Sequence, residues 1–148
     1  MLHPFDLKAA LLAKHAQHVV LIHFPIALYL AGTCFDFCAR VLRKPYLAGA
    51  AYWNFLAAAI MSLPAAATGI IAWRYALEGQ ALKGVLRLHL ALACGVIGGV
   101  WLTVWLRRAR FQREDTSVSG LILILESTVS LLIATTAHLG GFLSGVNV

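Results

Sequence analysis

The sequence predicts an all-α integral membrane protein, an antiparallel four-helix bundle that crosses the bilayer four times. Hydrophobic residues make up 61% of its 148 residues and charged residues only 12%, whereas a soluble domain is about 25% charged. The mean hydropathy is +0.81. So few polar groups cannot cover the surface of a soluble globule, which argues against a soluble enzyme, a disordered segment and a free nucleic-acid-binding protein.

Four apolar segments are long enough to span a bilayer, whose core requires about 20 apolar residues per helix. They cover residues 18–39, 52–73, 88–106 and 118–139. The preceding residues, 1–17, are expected to form an N-terminal interfacial segment, because several of their apolar side chains share one side of a helix. This gives two units: the interfacial segment 1–17 and a four-span bundle over 18–148.

Small residues predict close packing between the spans. Alanine runs occupy 57–59 and 65–67, and Gly95 and Gly99 have the small-x-x-x-small spacing. Small side chains let helix backbones approach each other in lipid. The arrangement favours a tight bundle.

Basic residues predict the orientation of the chain. The net charge is +6, and seven of the twelve Lys and Arg residues follow the first and third spans. Cytoplasmic loops carry the excess of basic residues, so both termini are expected on the outer side, the periplasm of a bacterium. The same reasoning predicts a multi-pass protein of the bacterial inner membrane. The lipid bilayer is its expected partner, and no nucleic-acid partner is expected.

All six histidines fall on the predicted outer side. Ionisable groups inside a membrane are costly and therefore mark functional candidates. Two histidines precede the first span and four lie within the spans: His3, His15, His18, His23, His89 and His138.

Histidines on separate helices at one depth are what a non-covalent b-type haem requires, because two imidazoles bind its iron from opposite sides. We expect His23 and His89 to form the first axial pair, with His18 and His138 as alternative ligands or a second pair. The sequence has no Cys-x-x-Cys-His motif, which excludes covalent c-type attachment. A zinc or copper site is less expected, since no Cys or carboxylate accompanies the histidines at the spacing of metal ligands.

The remaining charged candidates separate into two groups. Arg74 and Arg87 are expected at the outer interface, where they could pair with haem propionates. Asp36 and Glu126 are expected in the cytoplasmic half, in a structural role such as pairing with Arg40 or with hydroxyl groups.

The run His18-Val-Val-Leu-Ile-His-Phe-Pro-Ile-Ala-Leu28 resembles the opening motif HPxxVHFPIAL of a bacterial membrane protein family, domain of unknown function 2231. Val19 replaces the usual proline. His89 and the run from His138 to Gly141 also match the family's pattern. The resemblance covers residues 18–148 and implies four spans and importance for the matching histidines. Family members that are fused to or encoded with cytochrome c modules imply membrane electron transfer.

The functional hypothesis is a b-type cytochrome-like electron-transfer subunit with one haem b, or two if both histidine pairs are used. It is expected to be non-catalytic and to belong to a larger respiratory or photosynthetic complex. Other membrane subunits and a periplasmic cytochrome c or quinone would be its partners. The first alternative is a cofactor-free structural or assembly subunit. The second is a small transporter or channel that uses Asp36 and Glu126.

Overall fold

Four helices account for nearly all of the chain that is described. The structure, a computed structural model, describes residues 14–75, 81–111 and 119–144. Helix α1 is Lys14–Val41, α2 is Tyr46–Tyr75, α3 is Gly84–Phe111 and α4 is Gly120–Leu143. Each is long and apolar enough to cross a membrane. The prediction of four spans is confirmed, and every helix extends beyond the apolar segment at one or both ends.

Of the N-terminal unit, the structure describes only the last four residues, 14–17. Residues 1–13 lie outside the described residues, so the interfacial segment 1–17 stays a prediction. Within the described residues, α1 is already helical from Lys14, four residues before the span that hydropathy alone delimits.

Short loops and caps define how neighbouring helices connect. The turn between α1 and α2 contains Arg43 with a positive φ of 55°, and the amide of Lys44 donates to the carbonyl of Ala39. This hydrogen bond closes the last turn of α1. Such a bond is common where the residue that follows a helix has a left-handed backbone conformation. At the start of α4 the Ser119 side chain accepts a hydrogen bond from the amide of Ile122, an N-cap.

Helix α2 packs against α1 along a line of small side chains. Its buried residues recur at intervals of three and four, the spacing that keeps one face of a helix against its neighbour; they are Ala48, Ala51, Tyr52, Phe55, Ala58, Ala59, Ser62, Ala65 and Ala72. Tyr29 of α1 is fully buried against this face, with its ring centroid 5.0 Å from that of Phe55. The alanine-rich segment therefore acts as the predicted packing surface.

Glycine permits close contact in each helical hairpin. A Cβ at Gly32 would lie 2.7 Å from a ring carbon of Phe55, and a Cβ at Gly99 would lie 2.6 Å from Cγ2 of Val129. Gly95, the other member of the predicted small-residue pair, has open space where its Cβ would be. Only Gly99 of that pair therefore works as a packing glycine in the described bundle.

We expect Gly99→Ala to destabilise the bundle by about 1–3 kcal/mol, the usual cost of inserting a methyl group into a packed contact. The adjacent Gly98→Ala is the matched control, because its added Cβ meets nothing within 4 Å and alanine favours a helix. Unfolding free energies measured by SDS titration would test the difference. Equal stability of the two variants would contradict the packing assignment.

The outer surface of the bundle is apolar, as a lipid-facing surface must be. Large hydrophobic side chains on all four helices are exposed, among them Val20, Ile70, Trp105 and Leu121. In water such continuous exposure would be unfavourable, whereas in a bilayer these side chains meet acyl chains. Together with the four apolar helices, this surface identifies a multi-pass membrane protein.

Candidate functional site

Polar side chains concentrate at the two ends of the bundle. We call the end that contains the N-termini of α1 and α3 the histidine end, because His18 and His89 lie near the starts of those helices. The opposite end, where Asp36 and Arg107 meet, we call the acid end. Eighteen residues separate His18 from Asp36 along α1, which corresponds to about 27 Å. The two ends therefore lie near opposite faces of a bilayer about 30 Å thick.

His18 is held between the first turns of α1 and the last turns of α2. Its Nδ1 lies 3.1 Å from the carbonyl oxygen of Ala65 and 3.3 Å from Oγ1 of Thr68. Because a carbonyl can only accept, Nδ1 carries the proton and donates it. In the neutral ring this leaves the lone pair on Nε2.

His89 is held in the same way between α3 and α4. Its Nδ1 lies 3.1 Å from the carbonyl oxygen of Thr136, and its side chain is half-buried. The carbonyl again requires Nδ1–H as donor and places the lone pair on Nε2. A ligating imidazole in proteins almost always donates its other nitrogen to such a partner.

The two histidine contacts are equivalent in sequence as well as in geometry. Each histidine lies 47 residues before the carbonyl to which it donates. The two histidines are 71 residues apart, and so are Ala65 and Thr136, whose carbonyls accept the hydrogen bonds. Asp36 and Arg107 are also 71 residues apart. The α1–α2 and α3–α4 hairpins thus place corresponding residues alike, as in a parallel internal repeat.

A glycine lies beside each of the two imidazoles. A Cβ at Gly69 would be 3.0 Å from Cε1 of His18, and a Cβ at Gly140 would be 3.3 Å from Cε1 of His89. Both distances are tight for a side-chain contact, so any larger residue would crowd the ring. The glycines occupy corresponding positions in the two hairpins and preserve room for the imidazoles.

The other predicted ligands are more exposed. His23 is exposed on α1, and its Nδ1 bonds to the Val19 carbonyl of the same helix at 2.6 Å. His138 is exposed near the end of α4 and makes an edge-on contact with Phe142 at 4.9 Å between ring centroids. All four predicted ligands lie toward the histidine end, but the axial pairing of His23 with His89 stays a prediction.

Arg74 and Arg87 also lie at the histidine end. Arg74 is in the last turn of α2 and Arg87 in the first turn of α3, and both side chains are exposed. They are therefore at the level where an anionic group near the two half-buried histidines would meet them. Their role toward haem propionates stays a prediction.

The acid end contains a buried ion pair. Nη2 of Arg107 donates to Oδ1 of Asp36 at 2.6 Å and to the carbonyl oxygen of Ala48 at 3.2 Å. The arginine is 4% exposed and the aspartate 0%. Of the structural partners predicted for Asp36 and Glu126, Arg40 is not the one that pairs with Asp36. The Asp36 carboxylate points into the bundle, where Arg107 of α3 meets it.

Glu126 of α4 completes this cluster. It is 0% exposed and interacts electrostatically with both Asp36 and Arg107. Among the side chains that the structure describes, four buried polar atoms lack a hydrogen-bond partner: Oδ2 of Asp36, Nε of Arg107 and both carboxyl oxygens of Glu126. Polar atoms buried in this way are rare and call for an explanation.

Hydroxyl groups continue inward from the acid cluster. The Tyr29 hydroxyl lies 2.9 Å from Oγ1 of Thr103, which itself donates to the carbonyl of Gly99. Because Thr103 uses its proton there, Tyr29 is the donor between the two hydroxyls. Thr33 and Ser130 form a further hydroxyl pair between α1 and α4 at 3.3 Å.

Arg107 is the residue of the buried polar cluster that was not recognised from the sequence. It directly follows the apolar segment 88–106 and precedes another arginine, so it was counted among the charges of a cytoplasmic loop. The helix in fact continues to Phe111 and turns Arg107 inward. The signal that could have found it is the 71-residue interval, which aligns Arg107 with Asp36 once His18 is aligned with His89.

Within residues 14–75, 81–111 and 119–144, no group of three or more His, Cys, Asp or Glu side chains is arranged to hold a metal ion. That arrangement describes a site built wholly from protein ligands. A haem supplies four nitrogen ligands itself and needs only axial residues, so the absence of such a group in the described residues does not bear on haem.

Comparison with models of known protein families gives a match. A family model described as "Predicted membrane protein (DUF2231)" matches residues 14–146. No curated protein matches the chain, and no solved structure matches it.

Proposed function

The chain belongs to the DUF2231 family of membrane proteins, and from its own geometry we propose that it is a b-type cytochrome-like electron-transfer subunit with haem b bound at the histidine end. The observation that carries the proposal is the matching hydrogen bonds that hold His18 and His89. Each donates Nδ1–H to a main-chain carbonyl of the neighbouring helix, which directs the Nε2 lone pair to a ligand. Two such imidazoles are the axial set of a bis-histidine haem.

His18 is better supported than His23 as the partner of His89. The two tethered histidines are half-buried and occupy corresponding positions in the two hairpins, whereas His23 bonds to its own helix and is exposed. A buried, oriented imidazole loses less entropy on ligation than an exposed one. His23 and His138 remain candidates for a second haem.

Two pairs of residues near the two histidines support the assignment. Gly69 and Gly140 make room for the imidazoles themselves, and Arg74 and Arg87 are cations at the same end that suit the carboxylates of a haem. Haem supplies one-electron redox chemistry when it is bound. The chain's own contribution is to orient the imidazoles, to exclude water by burial and to set the basicity of each ligand through its carbonyl.

The small surface outside the membrane favours a subunit of a larger complex. Nearly all described residues belong to the four spans, so little soluble surface is available for substrate chemistry. We therefore infer a non-catalytic relay in a bacterial inner membrane, which passes one electron between other membrane subunits or a quinone and a periplasmic cytochrome c.

The optical spectrum of the purified protein tests the proposal. We expect a Soret band in the oxidised protein and, after dithionite reduction, a sharpened α band, because a bis-imidazole haem is held in the bundle. Protein expressed with sufficient haem supply should contain at least one haem per chain. A colourless protein that is correctly inserted and folded would favour the cofactor-free structural subunit instead.

A further inference from the structure

We propose that Asp36, Arg107 and Glu126 together hold one titratable proton inside the membrane, on the Glu126 carboxyl. This proton-binding site lies at the acid end and does not depend on haem at the histidine end. The proton would be the ligand of this cluster, in which four buried polar atoms lack a hydrogen-bond partner.

Charge counting gives the first argument. The cluster contains two carboxyl groups and one guanidinium, all 4% exposed or less. With both acids ionised, it would carry an uncompensated negative charge in a low-dielectric interior, which is strongly unfavourable. One added proton makes the cluster neutral.

The pattern of hydrogen bonds shows where that proton resides. Asp36 already receives the guanidinium of Arg107 on Oδ1, and this interaction favours the ionised aspartate. Neither oxygen of Glu126 has a hydrogen-bond partner within the described ranges. The acid without a cation of its own is therefore the one that binds the proton.

The proton also supplies a missing donor. Glu126 and Asp36 lie within hydrogen-bonding reach of each other, but two ionised carboxylates offer only acceptors. A protonated Glu126 would donate its O–H to Oδ2 of Asp36. One proton would thus give partners to two of the four unpartnered atoms.

The groups that face the cluster come from all four helices. Helix α1 contributes the Tyr29 hydroxyl in addition to Asp36, and α3 contributes Thr103 in addition to Arg107. The described contact from α2 is an uncharged carbonyl, that of Ala48. The cation that acts on Glu126 is Arg107, the same residue that pairs with Asp36, so two acids share this one guanidinium.

Release of the proton is balanced as a simple acid dissociation. The Glu126 O–H bond breaks, the electron pair remains on the carboxylate, and a water molecule or another base takes the proton. The cluster then gains one negative charge at the acid end. No oxidant or reductant is required.

Infrared spectroscopy of the full-length protein in lipid, at neutral pH, tests the proposal. We expect one carboxylic-acid C=O band that shifts in deuterated water and is lost in Glu126→Gln. Asp36→Asn should also lose the band, because Arg107 then needs Glu126 as its anion. Thr128→Val, an exposed change on the same helix, should leave the band in place.

The two isosteric variants keep the test independent of gross folding. Their helical circular dichroism and insertion should match those of the unaltered protein, and a loss of the band in such folded variants supports the site. An unaltered protein without the band would overturn the proposal, whether the cluster then binds another monovalent cation or stays charged. Persistence of the band in Glu126→Gln would overturn it as well.

Discussion

Replacing His18 or His89 by alanine should abolish haem binding, with the Soret and α bands reduced at least tenfold relative to the unaltered protein. Each variant removes an imidazole that the structure holds in one tautomer through a carbonyl of the adjacent helix. The loss should be large because the second ligand lies on a different hairpin and cannot replace the missing one. Haem content per chain, from pyridine haemochrome spectra, is the measurement.

The exposed histidines provide the matched controls. His23→Ala and His138→Ala remove the same side chain from the same end of the bundle, but from exposed positions. We expect each to keep the main haem and to lose at most a second one. If His23→Ala abolished the bands and His18→Ala kept them, His23 and not His18 would be the partner of His89.

Asp36→Ala should lower the free energy of unfolding by about 3–5 kcal/mol, the usual cost of leaving one member of a buried pair uncompensated. Arg107 would remain 4% exposed without the carboxylate that now lies 2.6 Å away. Because Glu126 is expected to ionise and act as the anion of Arg107 in this variant, as in Asp36→Asn, the loss should fall at the lower end of this range. Steric trapping or SDS titration in detergent gives the measurement.

Two further variants distinguish the loss of the ion pair from a general intolerance of this site to substitution. Asp36→Leu combined with Arg107→Met removes both charges and should restore much of the stability, since apolar replacements of a buried pair are often neutral. Glu126→Gln should cost less than 1 kcal/mol, because glutamine replaces a neutral acid and still donates to Asp36. A loss below 1 kcal/mol in Asp36→Ala would show that the ion pair contributes little.

The number and the approximate bounds of the spans could be predicted from the sequence because hydropathy is a local property. A run of about 20 apolar residues has few other uses, so all four helices and their antiparallel order were correctly expected. The shared level of His18 and His89 follows from the same reasoning, since depth depends only on position along a span. Neither inference requires knowledge of how a helix is rotated.

The rotation of each helix about its own axis could not be predicted from the sequence. Whether His18 or His23 faces a neighbouring helix depends on packing among α1, α2 and α4, and both histidines lie in equally apolar surroundings in the sequence. Arg107 was misplaced for the same reason. One residue beyond the apolar segment, it resembles a loop cation until packing shows that α3 continues and turns it toward Asp36.

The electron paramagnetic resonance spectrum of the oxidised, purified protein tests the central claim most directly, because it reports the axial ligands of the iron. We predict the low-spin ferric signal of two imidazole ligands, lost in both His18→Ala and His89→Ala and retained in His138→Ala. A high-spin signal, or a low-spin signal that survives both substitutions, would contradict ligation by imidazoles from the two hairpins.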